Sequence, residues 1–213
     1  MEIGLDDAYS VKTPEDNKKL YAKWADTYES EFVAKEGYRH PQVISEIFDR
    51  EVPEVKTIID IGTGTGLVGA HLIKLRNGIE IDGIDISPEM LEQARRKNIY
   101  RNLYERDLTQ EVLGTQAPYD ALITIGTFTH GHLGPEAIHN LLPLVKRAGH
   151  LVIGINASYF ESQGFERFFG ELLSDKKISE LSIQKVDVYD DKSPHHESKN
   201  LIAVFRNLSA ISY

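Results

Sequence analysis

A glycine-rich segment between residues 58 and 72 constrains the fold of this chain more than any other feature. Residues 58–61 (IIDI) are a short apolar run typical of a buried strand, and residues 67–72 (LVGAHL) have an apolar helical pattern. Gly62, Gly64 and Gly66 stand between them. A glycine turn at such a junction lets the backbone approach a ligand and offers it the amide hydrogens of the helix N-terminus. The segment therefore predicts a ligand-binding strand–turn–helix unit.

Short apolar runs alternate with helical patterns along the rest of the chain. The predicted strands are residues 56–61, 79–86, 103–106, 119–125, 150–155, 183–189 and 201–206. Strands that alternate with helices form parallel sheets with right-handed crossovers. The last two strands flank a polar loop, which predicts an antiparallel pair. The expected fold class is α/β, a Rossmann-like three-layer sandwich with a seven-stranded, mostly parallel sheet, an antiparallel last strand and an N-terminal helical lid.

The lid is predicted from two helical patterns that precede the first strand. One covers residues 14–32, where Trp24, Tyr28 and Phe32 are spaced four apart on one face. The other covers residues 41–50. An aromatic stripe at this spacing is more often core than ligand site, so Trp24 and Phe32 are expected to be buried. For Tyr28 a core role and a ligand role are both open.

Composition limits the partners. The chain has 213 residues, no internal repeat and no linker-like tract, so residues 1–54 (the lid) and 55–213 (the ligand-binding part) are predicted to form one domain. No cysteine is present, and acidic residues outnumber basic ones for a net charge of −9. Nucleic-acid binding needs clustered Lys and Arg, which are missing, so a small-molecule substrate is expected. No apolar stretch reaches the roughly 20 residues of a membrane span, and no signal peptide is evident, which predicts a cytoplasmic protein without membrane contact.

The glycine segment fits two cofactor motifs. Gly64, Gly66 and Gly69 satisfy the G-x-G-x-x-G dinucleotide pattern, with Asp85 about 20 residues later. The alternative register begins with Asp60, two residues before the first glycine. A carboxylate there suits a ligand with an ammonium group and repels a pyrophosphate. Asp60 therefore favours the second register, while an NAD-dependent oxidoreductase that uses the first register stays an alternative.

The second register, residues 60–66 (DIGTGTG), resembles the motif of class I S-adenosylmethionine-dependent methyltransferases, a resemblance that covers nearly the whole chain. It implies S-adenosylmethionine as cofactor and a set of cofactor-binding residues. Around the methionine part the implied residues are Asp60, Gly62, Thr63, Gly64 and Gly66, with the Tyr28 hydroxyl near its carboxylate. Around the adenosine part they are Asp85 on the ribose, Ile86, Asp107 and Leu108 at the adenine, and Ile125 beside the cofactor.

A narrower resemblance rests on residues 23–29, 37–41 and 126–132, which are similar to the methyltransferase family named for the Williams–Beuren syndrome region. It implies that Tyr38 and Arg39 close the site from the lid, although Arg39 is equally well explained as a solvated surface charge. Residues 146–149 (KRAG) depart from the Lys-Pro-Gly-Gly turn that is common in such enzymes. This turn joins a helix to a strand, so the departure puts little of the chemistry in doubt.

Candidates for the acceptor side follow the later strands. His130 and His132 come after the fourth strand, on the sheet edge where open α/β folds bind ligands, and are predicted as catalytic or acceptor-orienting residues. Asn156 and Tyr159, after the fifth strand, and His195, in the loop before the last strand, are predicted to bind substrate. The histidines have a second interpretation, in which they only orient their loop. No metal is expected, because the adjacent side chains of His195 and the next residue do not converge on one ion.

The predicted function is transfer of a methyl group from S-adenosylmethionine to an O or N nucleophile of a small molecule. The fourth-strand exit, residues 124–127 (TIGT), lacks the Asn/Asp-Pro-Pro-aromatic signature of enzymes that methylate exocyclic amines of nucleic-acid bases. A non-catalytic S-adenosylmethionine-binding protein is the other alternative. The sequence gives no indication of oligomeric state or of the acceptor.

Overall fold

Seven strands form one sheet in the structure, a computed structural model that describes residues 4–110 and 118–209. The strands are β1 (Thr57–Ile61), β2 (Glu80–Asp85), β3 (Tyr100–Glu105), β4 (Tyr119–Phe128), β5 (Val145–Asn156), β6 (Ser182–Asp187) and β7 (Lys199–Arg206). Their order is β3-β2-β1-β4-β5-β7-β6. Only β7 runs against its neighbours, and the other pairs are parallel. The predicted fold class is confirmed, including the antiparallel last strand.

Helices cover both faces of the sheet and make the three layers. They are α1 (Leu5–Ser10), α2 (Pro14–Trp24), α3 (His40–Glu51), α4 (Leu67–Leu75), α5 (Pro88–Arg96), α6 (Ile138–Leu141), α7 (Ala157–Ser162) and α8 (Phe165–Ser174). Alternate strand residues point to opposite faces. Ile58 and Ile123 therefore pack with α3 and α4, whereas Ile59, Leu122 and Ile153 pack with α6 and α8.

The N-terminal aromatic stripe is not one continuous helix. Helix α2 ends at Trp24, and a π-helical turn follows at Tyr28–Val33, so the predicted helix over residues 14–32 is wrong in its middle. The four-residue spacing survives because the wider turn keeps the rings together: Trp24 lies 5.1 Å from Tyr28 and 5.2 Å from Phe32, between ring centroids. Trp24 and Phe32 are buried, as predicted.

Two helices depart from a simple amphipathic pattern. Helix α6 is short and passes into a 3₁₀ turn at Leu142–Leu144, because Pro143 has no amide hydrogen for a longer helix. Residue 145 already begins β5. In α4, Val68 and Leu72 are buried, but Leu75 is 44% exposed at the end of the helix.

The N-terminal segment is bound to the far end of the sheet. Tyr38 forms an antiparallel bridge with Tyr189, and the Arg39 amide donates to the Val188 carbonyl at 2.8 Å. These bonds hold the segment before α3 beside the end of β6. Within the described residues, no helix is both long and apolar enough to cross a membrane.

Candidate active site

A cavity of about 310 Å³ lies where β1, β2 and β4 end, beneath the N-terminal helices. We refer to it as the first cavity. Residues from three regions line it: the glycine loop (Gly62, Thr63, Gly64, Thr65), the strand ends (Asp85, Ile86, Asp107, Leu108, Thr109, Ile125, Gly126, Thr127) and the N-terminal segment (Lys12, Thr13, Asn17, Tyr21, Tyr28, Tyr38). This is the edge at which the sequence predicted ligand binding.

The glycine loop is fixed to β2 by its backbone. The amides of Gly62 and Thr63 both donate to the Ile84 carbonyl, at 2.8 and 2.9 Å. Gly62 has a φ of 68°, and a Cβ there would lie 2.2 Å from Thr127 Oγ1. Only glycine fits such a position without displacing the end of β4. These contacts fix the position of the glycine loop at the edge of the first cavity.

Two residues of the predicted cofactor motif support this loop from below and do not line the cavity. The buried Asp60 accepts a 2.6 Å hydrogen bond from the Tyr100 hydroxyl, which also accepts from the Gly69 amide at 3.2 Å. Gly66 packs on the same ring, since a Cβ there would lie 2.9 Å from Tyr100 Cε2. Burial raises the pKa of Asp60 to about 7, and the Tyr100 bond opposes that shift. One oxygen of the Asp60 carboxylate is thus bonded to Tyr100, and Asp60 does not line the first cavity.

The acidic residues at the ends of β2 and β3 do line the first cavity. Asp85 accepts from the Gly64 amide at 2.8 Å and from the Ser87 amide at 2.9 Å, which ties the glycine loop to the start of α5. Burial raises the pKa of Asp85. Asp107 accepts from the amide and the hydroxyl of Thr109, at 2.9 and 2.7 Å. Each carboxylate keeps acceptor capacity for a ligand, because an ionised carboxylate has about four lone-pair sites.

The two predicted catalytic histidines occupy different surroundings. His132 lines the first cavity, and its Nδ1 lies 2.9 Å from the His130 carbonyl oxygen. A carbonyl only accepts, so Nδ1 carries the hydrogen and Nε2 is the acceptor in the neutral ring. Nε2 receives the Tyr21 hydroxyl at 3.3 Å. Burial lowers the pKa of His132, which keeps the ring neutral at pH 7.

The His130 ring is not brought to the cavity. It lies between Tyr9 and Tyr159, with centroid distances of 5.4 and 5.1 Å, and its Nδ1 is buried without a partner among the described residues. What His130 contributes to the first cavity is the backbone carbonyl that orients His132. The roles predicted for the His130 side chain, in catalysis or in orienting its loop, stay predictions.

A smaller cavity of about 70 Å³ adjoins the first one, and we refer to it as the second cavity. Tyr21, Tyr28, Tyr38, Gly126 and His132 line both. The residues that line the second cavity alone are Ala8, Tyr9, Trp24, Phe32, His40, Phe128, Thr129, Asn156, Val188, Tyr189, Ser198 and Asn200. The shared residues make a common border, so a molecule in either cavity meets the same five residues.

Only some of the predicted substrate residues reach these cavities. Tyr38 lines both and Asn156 lines the second. Arg39 is exposed, its backbone amide donates to Val188, and its charge helps to lower the pKa of the exposed Asp187, which favours the interpretation as a surface charge. Tyr159 is buried against His130, and His195 lies against Tyr189 with its Nε2 3.8 Å from Glu36 Oε2. The last three therefore lie outside the cavities.

Several lining residues were missing from the sequence prediction. His40 is buried, with Nδ1 3.4 Å from the Tyr38 hydroxyl and 3.3 Å from Asn200 Nδ2. Burial lowers its pKa to about 3, so the ring is neutral. Tyr21 and Asn200 join the site from α2 and β7, and no local pattern in the sequence marks either. Thr65 Oγ1, in the glycine loop, is buried without a partner in the described part of the chain.

The described ranges, 4–110 and 118–209, contain no group of three or more His, Asp or Glu side chains arranged to hold a metal ion. The charged side chains that line the first cavity are instead Lys12, Asp85 and Asp107. Organic ligands with hydroxyl or ammonium groups match such a set.

Comparison with known proteins favours the methyltransferase register of the glycine segment. Residues 59–151 match the family model described as "Methyltransferase domain". Over this range the chain is similar to the class I S-adenosylmethionine-dependent methyltransferases. Methyltransferase-like protein 27 of Homo sapiens is 33% identical over 126 residues, which are 57% of this chain and 51% of that protein. Demethylmenaquinone methyltransferase of Thermus thermophilus is 33% identical over 101 residues, 46% of either chain.

The fold is shared with solved structures of methyltransferases. The plantazolicin methyltransferase BpumL, in complex with a pentazolic desmethylPZN analog and SAH, superposes with a TM-score of 0.62 at 14% identity, over 95% of this chain and 96% of that one. The chain spans about half the length of the curated relatives it matches.

S-adenosylmethionine, the cofactor of this class, fits the residues of the first cavity. Gly64 and Gly126 line it, and a Cβ added to either would meet no protein atom closer than 3.9 Å, which leaves room for a ligand against the backbone. Ile86 and Leu108 provide apolar surface beside the two acids. The unpartnered Thr65 hydroxyl is a further polar group without a protein partner among the described residues.

Proposed function

We propose that this protein transfers a methyl group from S-adenosylmethionine to an oxygen or nitrogen nucleophile of a small molecule. The observation that carries the proposal is the common border of the two cavities, with the unprotonated Nε2 of His132 beside it. One cavity has the glycine loop and acids suited to the methyl donor. The other is partly enclosed and suited to an acceptor. Two adjoining compartments are what a two-substrate transfer requires.

On the donor side, the roles follow from chemistry and position. Asp85, with acceptor capacity left beside Gly64, holds the ribose hydroxyls, while Ile86 and Leu108 flank the adenine and Asp107 accepts from its amino edge. The amides of the glycine loop and the Tyr28 hydroxyl face the methionine carboxylate. Burial raises the pKa of Tyr28, so its phenol stays protonated and donates. Asp60, Tyr100 and Gly66 act from below by fixing the loop.

When bound, S-adenosylmethionine supplies a methyl group on a cationic sulfonium, which is open to in-line displacement. The main work of the protein is to hold the acceptor nucleophile behind that methyl, and such positioning is worth about 7–11 kcal/mol. His132 adds proton transfer: its Nε2 accepts the hydrogen of the acceptor O–H or N–H as the new bond to carbon forms. The His130 carbonyl keeps the proton on Nδ1 throughout, and the acceptor takes the place of the long 3.3 Å contact from the Tyr21 hydroxyl at Nε2. A general base of this kind contributes about 10²–10⁴-fold.

The dinucleotide alternative is disfavoured by where its glycines lie. In the register of Gly64, Gly66 and Gly69, the middle glycine is the one that must approach the pyrophosphate. Gly66 instead packs on Tyr100, because a Cβ there would lie 2.9 Å from Tyr100 Cε2. The non-catalytic alternative keeps the same donor site and differs only in turnover.

The proposal is tested by following conversion of S-adenosylmethionine to S-adenosylhomocysteine in the presence of pooled small metabolites. We expect conversion above the protein-free rate, and His132→Ala should abolish most of the increase. Binding of S-adenosylhomocysteine without turnover in any pool would support the non-catalytic alternative. The narrower resemblance to the Williams–Beuren family stays a prediction.

A further inference from the structure

The walls of the second cavity are mostly aromatic rings in edge-to-face contact. Trp24 meets Tyr28 at an interplanar angle of 83°, and Tyr189 meets Phe32 at 90°. Tyr38 lies 5.4 Å from Tyr189, between ring centroids. Aromatic pairs gain from edge-to-face and offset geometry, so a flat ring placed among these side chains finds the same kind of contact. The walls favour a planar aromatic guest over a flexible aliphatic one.

The two cavities differ in the charged residues that line them. Lys12, Asp85 and Asp107 line the first cavity, whereas no Asp, Glu, Lys or Arg of the described residues lines the second. Its titratable groups are histidines and tyrosines. Burial lowers the pKa of His40 to about 3 and raises the pKa of Tyr38 and of Tyr189, so these groups are neutral at pH 7.

The half-buried Glu36 acts electrostatically on Tyr189 but does not line the cavity, and its Oε2 lies 3.8 Å from His195 Nε2. A charged guest would therefore lose its hydration without gaining a charged partner, which is expensive in an apolar site. The penalty is largest for an anion, since a cation regains part of its lost hydration energy from the faces of aromatic rings.

Several neutral polar groups line the second cavity. The Tyr38 hydroxyl and Asn200 Nδ2 both contact His40 Nδ1, at 3.4 and 3.3 Å. These contacts are long for hydrogen bonds, so the groups can share a hydrogen bond with a guest. Asn156 and Thr129 are further polar residues of the lining. This set suits a guest with one or two neutral polar atoms.

We propose that the second cavity takes an uncharged, planar aromatic acceptor whose hydroxyl or ring nitrogen is methylated. The inference deepens the proposed function and rests on it. The ring lies among Trp24, Tyr38 and Tyr189, and the nucleophile points to the border where His132 stands. The methyl group leaves the sulfonium with the acceptor lone pair forming the new bond, and the acceptor proton goes to His132 Nε2.

The chain provides its own reporter, because Trp24 is the only tryptophan and lines this cavity. With saturating S-adenosylhomocysteine present, Trp24 fluorescence is followed while four probes of similar shape are added. The probes are 4-methylphenol, 4-methylbenzoate, 4-methylbenzylammonium and 4-methylcyclohexanol. We expect 4-methylphenol to bind at least about tenfold more tightly than either ion. It should also bind severalfold more tightly than the saturated alcohol. N-acetyltryptophanamide corrects for direct quenching.

A matched pair of variants locates the effect in the cavity. Asn156 lines the cavity and caps α7, with its Oδ1 accepting from the Tyr159 amide at 3.1 Å. Aspartate caps helices as well as asparagine, so Asn156→Asp adds a charge and keeps the cap. Gln163→Glu adds the same charge by the same amide-to-carboxylate change at the exposed C-terminal end of α7. We expect Asn156→Asp to strengthen 4-methylbenzylammonium binding by about tenfold relative to 4-methylphenol, and Gln163→Glu to leave the ratio unchanged.

The outcomes separate this inference from the function on which it rests. Calorimetry with S-adenosylhomocysteine is done first, and absence of binding there refutes the donor site itself. If S-adenosylhomocysteine binds, then equal or tighter binding of the benzoate or the ammonium ion overturns the uncharged aromatic acceptor alone. The uncharged aromatic acceptor is also refuted if 4-methylphenol does not change Trp24 fluorescence. It is likewise refuted if both variants change the ratio of the two affinities equally.

Discussion

The two adjoining cavities are built by opposite means. The first is made at the edge of the sheet by short segments that follow strands and by the N-terminal segment, and it carries Lys12, Asp85 and Asp107. The second is enclosed by aromatic rings from the N-terminal helices and by residues of β5 and β7, with no Asp, Glu, Lys or Arg from the described residues. In the proposed function, charge and backbone amides hold the cofactor, whereas packing shapes the space for the acceptor. Donor and acceptor recognition are then expected to be separable in this chain.

The largest effect is expected at the border. His132→Ala removes the Nε2 that accepts the acceptor proton, and turnover should fall by about 10²–10⁴-fold while the affinity for S-adenosylhomocysteine stays within a few fold. His130→Ala is the matched control, since it keeps the carbonyl that orients His132 and its ring lies outside the cavity. Methyl-transfer kinetics check this. Equal losses in both variants would contradict the assignment of the base.

A second prediction sharpens the distinction between lining and supporting residues of the first cavity. The pKa of Asp60 is about 7 in the folded protein, against an ordinary value of 3.8. Between these two values the folded state binds more protons than the unfolded one, so stability falls as pH rises and the loss persists above pH 7. Asp60→Asn removes this cost and keeps an acceptor for Tyr100. The free energy of unfolding of Asp60→Asn, taken relative to that of the wild type, should therefore be higher at pH 8 than at pH 4. We expect this relative stability to rise by up to about 4 kcal/mol between the two pH values.

Urea unfolding of both proteins at the two pH values measures the difference. The other titratable groups contribute equally to the stability of both proteins, so their contributions cancel in the difference. A stability difference that does not change with pH would refute the raised pKa. The affinity for S-adenosylhomocysteine should change by less than in the next variant, because Asp60 does not line the cavity.

Asp85 tests the donor side by itself. Asp85→Asn removes a charged acceptor for ribose hydroxyls and weakens the tie to the Gly64 amide. Hydrogen bonds to charged groups are worth about 1.5–3 kcal/mol, so affinity should fall by about 10–150-fold. Calorimetry gives the affinity, and Trp24 fluorescence with 4-methylphenol tests whether the second cavity is unaffected. A variant that lost affinity for 4-methylphenol but kept its affinity for S-adenosylhomocysteine would contradict the separate roles of the two cavities.

The smallest effect is expected at Arg39. The sequence resemblance implies that it closes the site, but its side chain is exposed and it binds Val188 through its backbone. Arg39→Ala should therefore change both the affinity for S-adenosylhomocysteine and the turnover by less than about twofold, as expected for a solvated surface charge. A tenfold change in turnover would show that the lid uses this guanidinium.

The two cavities also differ in how much of them could be predicted from the sequence. Strand ends, the glycine turn, Asp85 and Asp107 are local features, and each was predictable because a parallel sheet brings the carboxyl ends of its strands to one edge. The second cavity depends on contacts between distant segments. His40 and Asn200 are 160 residues apart in the chain, and their contact follows from how α3 lies on β7. For Asp60, the residue type indicated the family. Its burial against the Tyr100 hydroxyl depends on tertiary packing, which no local sequence pattern encodes.

The central claim is that the first cavity is a methyl-donor site. Calorimetric titration of the purified chain with S-adenosylhomocysteine tests it most directly, with NAD as the competing ligand. We predict saturable one-to-one binding of S-adenosylhomocysteine that weakens in Asp85→Asn, and no heat from NAD. Absence of S-adenosylhomocysteine binding at millimolar ligand, or saturable binding of NAD in its place, would contradict the account.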